Sequence, residues 1–204
     1  MSGREIVLAS GNPGKLREFN ELFASLGESW AFRVRSQGDF GVPEVEETGL
    51  SFVENALIKA RHAARHTGLP ALADDSGLEV DALRGAPGIY SARFAGPGAD
   101  DADNNDRLLA ALAGLPAEAR RARFQSVVVF MRHAEDPTPL IAQGTWEGRI
   151  LEAPLGSAGF GYDPLFWVES QGASAAQLSA EIKNALSHRG QALRALAEAL
   201  RARL

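Results

Sequence analysis

Cysteine is absent from the 204 residues, which removes disulfides, thiolate catalysis and cysteine-based zinc sites together. There is also no run of about 18 apolar residues, so no membrane-spanning helix is expected. The N-terminus lacks the apolar stretch and small-residue cleavage site of a secretory signal, because Arg4 and Glu5 lead straight into a strand-like segment. The expectation is a cytoplasmic protein with no membrane partner. Positive charge is in short supply: 21 Lys and Arg stand against 26 Asp and Glu, a formal net charge of −5. That balance disfavours duplex DNA or RNA, whose binders carry a basic patch that neutralises phosphates. A small anion stays open to the chain, provided a few cations and backbone N–H groups converge locally. What the chain does have is 45% hydrophobic residues, enough for one substantial core and a single domain over 1–204, or two closely packed lobes.

Strand-like and helix-like segments alternate. Ile6-Val7-Leu8-Ala9 reads as a strand closed by Gly11-Asn12-Pro13-Gly14. Leu16, Phe19, Leu22, Phe23 and Leu26 then follow helical spacing up to Gly27. Phe32 to Arg35 alternates like a short strand. Ser51-x-x-Glu54 reads as a capping box opening a second helix, which Gly68 and Pro70 end. Ala71 to Asp75 is expected to be a short strand running into Ser76-Gly77, and Asn105 to Ala113 a helix. Phe124 to Met131, with three consecutive valines, is the strongest strand, and Leu140 to Ile150 another strand or hairpin. Leu193, Leu196, Ala197, Leu200 and Leu204 make the last helix amphipathic. This is an α/β pattern with a mixed central sheet.

Four places could carry chemistry. Ser10, Gly11, Asn12, Pro13, Gly14 and Lys15 lie between a strand and a helix, where backbone N–H groups and a helix N-terminus favour an anion. The segment is not a Walker A loop, since the spacing is too short and Leu16 stands where Ser or Thr should hold magnesium. The second place is a set of acids, Glu44, Glu46 and Glu47 with Asp74-Asp75. Carboxylates are the ligands Mg²⁺ prefers. Neighbours on a strand point to opposite faces, so one of Asp74 and Asp75 is expected at a given site. The third is Gly156 to Phe166, where glycines flank Phe160 and free its ring to lie flat; base–aromatic stacking contributes about 1–3 kcal/mol. The fourth is Lys183 with Ser187-His188-Arg189-Gly190, whose cations could reach a phosphate or a base carbonyl.

Other features are read as structural. His62 and His66 sit four apart on a helix but lack the intervening Glu of a zinc protease. His133 with Glu135-Asp136 reads as a polar turn. Asp100 to Asp106 lacks the Gly and terminal Glu of a calcium loop and is expected to be an exposed loop feeding a helix. No serine stands in a Gly-x-Ser-x-Gly elbow.

In order and wording, these segments resemble the inosine triphosphate pyrophosphatase family, whose bacterial members are XTP/dITP diphosphatases. The matching stretches are LASGNPGK at 8–15, EETGLSFVENALIKA at 46–60, ALADDSGLEVDALRGAPGIYSARF at 71–94, GSAGFGYDPLF at 156–166 and IKNALSHRGQAL at 182–193. Ser10 stands where threonine is common and keeps the hydroxyl. The resemblance implies a two-lobed α/β fold on a long, curved mixed sheet flanked by helices, a nucleotide cleft between the lobes, and a homodimer. It implies that Ser10 to Lys15 hold the triphosphate. Glu46 and Asp75 would take Mg²⁺, with Asp75 also the base for the attacking water and Ser76 touching substrate beside it. Phe160, Gly161, Tyr162, Asp163, Lys183, His188 and Arg189 would surround the base and sugar of a purine nucleoside triphosphate. The implied reaction is hydrolysis between the α- and β-phosphates of ITP, dITP or XTP, giving a monophosphate and pyrophosphate. Glu47, Asp74 and Lys59 are reserve candidates in the same neighbourhood. Rival readings are a pyrimidine or modified-nucleotide pyrophosphatase, expected to carry an Arg-rich loop after the first strand, and a non-catalytic nucleotide-binding regulator, which would not need the acids.

Overall fold

The computed structural model describes residues 4–25 and 32–203. Seven strands lie in the order β2-β1-β3-β4-β5-β6-β7, where β1 is Arg4–Leu8, β2 Phe32–Ser36, β3 Ala71–Val80, β4 Arg121–Met131, β5 Leu140–Ile150, β6 Phe166–Val168 and β7 Ala173–Ser174. β1 pairs in parallel with β2 and with β3, while β6 is antiparallel to β5 and to β7. The sheet is therefore mixed, as expected, and helices flank it: α1 Pro13–Ser25, α2 Phe52–Thr67, α3 Asp101–Ala111, α4 Ala180–Leu186 and α5 His188–Arg201. The chain divides into two compact units. One comprises residues up to Asp75, Ser126–Gln143 and the chain from Ala192; the other comprises Ser76–Gln125 and Gly144–Gln191.

In the first unit, period-2 alternation along the strands sorts side chains into two cores. Ile6, Leu8, Leu72, Val128 and Phe130 meet Phe19 and Phe23 of α1 and Leu196 and Leu200 of α5. Val7, Ala71, Ala73, Val127 and Val129 meet Ala56, Ala60, Ala63 and Ala64 of α2. The alanine stripe lets α2 lie close to the strands, and the valine run of β4 reads as unbroken because both of its faces are covered. In the second unit Leu78, Val80, Leu108, Leu112, Phe124, Trp146, Ile150, Tyr162 and Phe166 form a single core.

Local signals set the helix ends. Asn12 Oδ1 accepts the N–H groups of Gly14 and Lys15 at 2.8 and 3.2 Å, and Pro13 opens α1 where its missing N–H costs nothing. Ser51 caps α2, and Gly68 in the left-handed region closes it. The reciprocal half of the expected capping box is shifted: Glu54 Oε2 accepts from the Leu50 N–H and the Ser51 hydroxyl.

Two expectations are corrected. Ser76-Gly77 does not end β3, which continues to Val80 because Leu78 and Val80 keep the alternation and bury completely. Asp100 to Asp106 is not a loop: Asp100 and Asp103 form a reciprocal capping box, and α3 begins at Asp101. The acids thus line a helix N-terminus, where the macrodipole favours them. Leu26, Gly27 and Leu204, and the side chain of Leu22, lie outside what is described.

Candidate functional site

The alternation that builds the first unit's cores also delivers its acids. Leu72 and Asp74 share the face toward α1, whereas Ala73 and Asp75 share the face toward α2. Asp74 is buried, accepting from the Ser126 hydroxyl at 2.8 Å and pairing with Lys15 Nζ of α1 at 2.8 Å. Asp75 is buried against α2, where Lys59 Nζ lies 2.7 Å from its Oδ1. Lys59 also donates to the Asp74 carbonyl at 3.0 Å and pairs with Glu47 Oε1 at 3.1 Å. Both aspartates are in use, each by a lysine from a different helix.

Burial pushes the Asp75 carboxyl above its ordinary range; Lys59 opposes the shift, and Glu47 and Asp74 reinforce it. Burial likewise works against the charge on Lys59, but Asp75 and Glu47 outweigh it and hold the ammonium above its usual value. Asp75 Oδ2 is buried with no hydrogen-bond partner among the described residues. An oxygen left in that state costs about 1–3 kcal/mol unless a ligand, a cation or water meets it.

The loop carrying the glutamates is tethered at both ends. His62 Nε2 lies 2.9 Å from the Pro43 carbonyl, which can only accept, so the ring donates there. Buried Asn55 accepts the Gly49 N–H at 2.9 Å. Within this span it is Glu47 that reaches Lys59, while Glu46 is exposed. A magnesium ion takes one or two protein carboxylates and completes its octahedron with water and phosphate. The donors fit that demand, with Asp75 Oδ2 as the buried oxygen and Glu47 joined to Asp75 through Lys59. No group of three His, Asp or Glu among the described residues is placed to hold a metal unaided, so the remaining ligands would come from substrate.

The Ser10–Lys15 segment is more self-satisfied than its glycines suggest. Ser10 Oγ accepts the Asn12 N–H at 3.1 Å, and Asn12 Oδ1 occupies the first free N–H groups of α1. What the segment offers an anion is therefore chiefly exposed Gly11 and Asn12 and the Lys15 ammonium.

The second unit gathers an aromatic and basic set. Phe160 is 62% exposed, with Lys183 Nζ 4.9 Å from its ring centroid. Asp163, itself buried, accepts the Phe160 N–H at 2.8 Å and pairs with Lys183 through the same oxygen. Gly159 makes this possible: its φ is +84°, and a β-carbon there would overlap Asp163 Oδ2. The His188 ring stacks on Phe124, with centroids 4.9 Å apart and planes 15° apart. Arg189 is largely buried and donates to Ser76 Oγ at 3.3 Å. Ser187 turns α4 into α5, accepting the Gly190 N–H at 3.1 Å. Glycine is required at 190 because a side chain would strike the Asn184 carbonyl.

Tyr162, set by the resemblance near the base and sugar, has a buried side chain. It is a core residue whose hydroxyl donates to the Ser91 carbonyl at 2.8 Å, and burial holds that hydroxyl protonated. Sequence reasoning did not single out Phe124 as a platform for His188. Its period-2 placement with Ala122 on β4 is the signal that marks it as inward-facing.

A family model described as the Ham1 family matches residues 6–199. A dITP/XTP pyrophosphatase of Methylococcus capsulatus is 63% identical over 98% of this chain and 97% of its own length. One from Vibrio cholerae is 56% identical over 97% and 96%. Among solved structures, a HAM1 protein from Coxiella burnetii superposes with a TM-score of 0.91 at 51% identity, covering 98% of this chain and 99% of that one. The Staphylococcus aureus Ham1 protein gives 0.89 at 39% identity, covering 98% and 100%.

Proposed function

The chain belongs to the Ham1 family, and from that premise we propose that it hydrolyses non-standard purine nucleoside triphosphates, ITP, dITP and XTP, to the monophosphate and pyrophosphate, removing them from the nucleotide pool. The observation that carries the chemistry is Asp75: a buried carboxylate with a raised pKa, one oxygen on Lys59 and the other unpartnered among the described residues. Such a group is suited to accept a proton.

In this reading a water oxygen bonds to the α-phosphorus while Asp75 takes its proton. The bond from the α-phosphorus to the bridging oxygen breaks, and pyrophosphate leaves. Lys15 and Lys59 stand beside the acids that would otherwise repel a triphosphate, and they neutralise its developing charge. Ser10, Gly11, Asn12, Pro13 and Gly14 seat the phosphates, and Glu46 with Asp75 would hold Mg²⁺. When bound, that ion supplies charge neutralisation and a lowered pKa for water. An Asp75 that ligates directly cannot also be a full-time base, so one of its two roles is indirect.

Phe160 stacks on the purine, with Lys183, His188 and Arg189 around it and Ser76 beside Asp75. Arg189 donates to the C6 carbonyl of hypoxanthine or xanthine and faces a donor in adenine. An unmet buried donor costs about 1–3 kcal/mol, roughly tenfold to a hundredfold against ATP. The same reading carries a homodimer and a cytoplasmic setting, which light scattering and cell fractionation check.

Incubating the protein with ITP, XTP, dITP, ATP and GTP, with and without Mg²⁺, tests the proposal. Metal-dependent pyrophosphate and monophosphate from the first three support it. Orthophosphate would overturn the α–β cleavage, and absence of turnover by folded protein would leave a binding protein.

A further inference from the structure

Resting on the reading in which Phe160 meets the purine, we propose that Asp101 and Asn105 of α3 are positioning residues that hold the Phe160 loop in its base-stacking conformation. Asp101 Oδ2 accepts the Gly161 N–H at 2.6 Å, and Asn105 Nδ2 donates to the Gly161 carbonyl at 2.9 Å. Residues four apart on a helix share one face, so a single helix holds both backbone polar groups of the residue that follows Phe160. The Asn105 amide is oriented in turn by a second donation, to the Asp101 carbonyl at 2.7 Å.

The anchor is itself fixed. Asp100 and Asp103 cap α3 reciprocally, and Leu108 is fully buried. Asn104 accepts the Ala95 N–H at 2.9 Å and donates to the Ala92 carbonyl at 3.3 Å, tying the helix start to the preceding segment. The acidic, asparagine-rich stretch therefore acts as a staple for two backbone segments.

The need for a staple follows from composition. Phe160 sits between Gly159 and Gly161, and glycine loses more conformational freedom on ordering than any other residue. An exposed ring on such a loop would have to be ordered by each incoming base. Holding Gly161 from both sides settles that cost in the folded protein. Loss of the staple should raise KM and leave kcat nearly unchanged, because the reacting phosphates are bound by other residues.

The test is a double-mutant cycle on the full chain. Asp101→Ala and Asn105→Ala should each raise KM for ITP roughly three- to tenfold, weaken IMP binding in calorimetry to match, and keep kcat within about twofold. Asp101→Asn, which keeps an acceptor, should recover most of the loss. In a Phe160→Ala background the same changes should add nothing, since the staple acts through that ring. An equal penalty in that background would overturn the proposal, as would a fall in kcat tracking a fall in Tm. Amide exchange at Gly161 gives a readout independent of turnover: slow in wild type and fast in the Asp101→Ala/Asn105→Ala protein. Unchanged exchange there would refute the staple even if ITP turnover is normal. A wild type that turns over no ITP would instead refute the reading of function, with the exchange result still deciding the staple.

Discussion

The two polar clusters each pair a lysine with a buried aspartate but differ in what surrounds that pair. In the first unit Lys15, Lys59, Asp74, Asp75 and Glu47 form a closed set of ion pairs, most of them buried or nearly so, and cation and anion nearly balance. In the second unit aromatic rings stand beside the charges: Lys183 pairs with Asp163 and lies over Phe160, His188 stacks on Phe124, and Arg189 donates to a serine hydroxyl. A balanced, desolvated set suits a place where charge moves during reaction, because preorganised groups need no rearrangement at that moment. A cationic and aromatic set suits a flat heterocycle with carbonyl edges. On the proposed function the first cluster serves reaction and the second recognition, and substitutions should respect that division.

The largest effect is expected at Asp75. Asp75→Asn keeps the shape and removes the base, so kcat should fall about 10²–10⁴-fold, while IMP affinity measured by calorimetry stays within a factor of about two or three. The pH profile sharpens the point. The raised pKa means that Asp75 stays protonated, and inactive as a base, to higher pH than a free aspartate. The acid limb of kcat/KM should therefore lie above about 4. Lys59→Met removes the nearest positive charge and should move that limb upward. A downward move would contradict the assignment.

On the recognition side, Phe160→Ala should weaken purine binding by about 1–3 kcal/mol, read as KM for ITP and as IMP affinity, with tripling or more of KM and little change in kcat. Arg189→Ala should leave ITP turnover measurable but erode the ITP-over-ATP preference roughly tenfold to a hundredfold in kcat/KM.

The smallest effect on activity is expected outside both clusters. Asp136 is buried and accepts from the Arg132 side chain and N–H and the Thr138 N–H, with Arg132 holding its carboxyl far below the ordinary range. A depressed carboxylate contributes stability that is present above the unfolded pKa, near 4, and lost as pH falls toward the folded one. Asp136→Asn should lower Tm at pH 7, narrow the gap to wild type in acid, and leave the ITP/ATP ratio alone. Thermal melts from pH 7 to pH 2 check this.

Legibility in the sequence followed how local each signal is. The Ser51 cap, the Gly68 stop and the valine run of β4 act within a few residues, and α2 and β4 fall where those signals put them. β6 and β7, three and two residues long, are too short to leave a pattern. Ser76-Gly77 reads as a turn by composition, yet burial of Leu78 and Val80 keeps it in β3. Asp75, Phe160, Lys183 and Arg189 are proposed for the site through resemblance in residue type and order. Which loop acid meets Lys59 depends on tethers contributed by His62 and Asn55, so adjacent glutamates are indistinguishable in one dimension. Tyr162, which the resemblance set near the base and sugar, has its side chain in the core. Its hydroxyl partner, Ser91, lies 71 positions away.

The most direct test of the division is the kcat/KM ratio of ITP to ATP, measured side by side in wild type, Asp75→Asn and Arg189→Ala. The account predicts that Asp75→Asn lowers both rates and preserves the ratio, and that Arg189→Ala collapses the ratio. A ratio changed by Asp75→Asn and untouched by Arg189→Ala would contradict it.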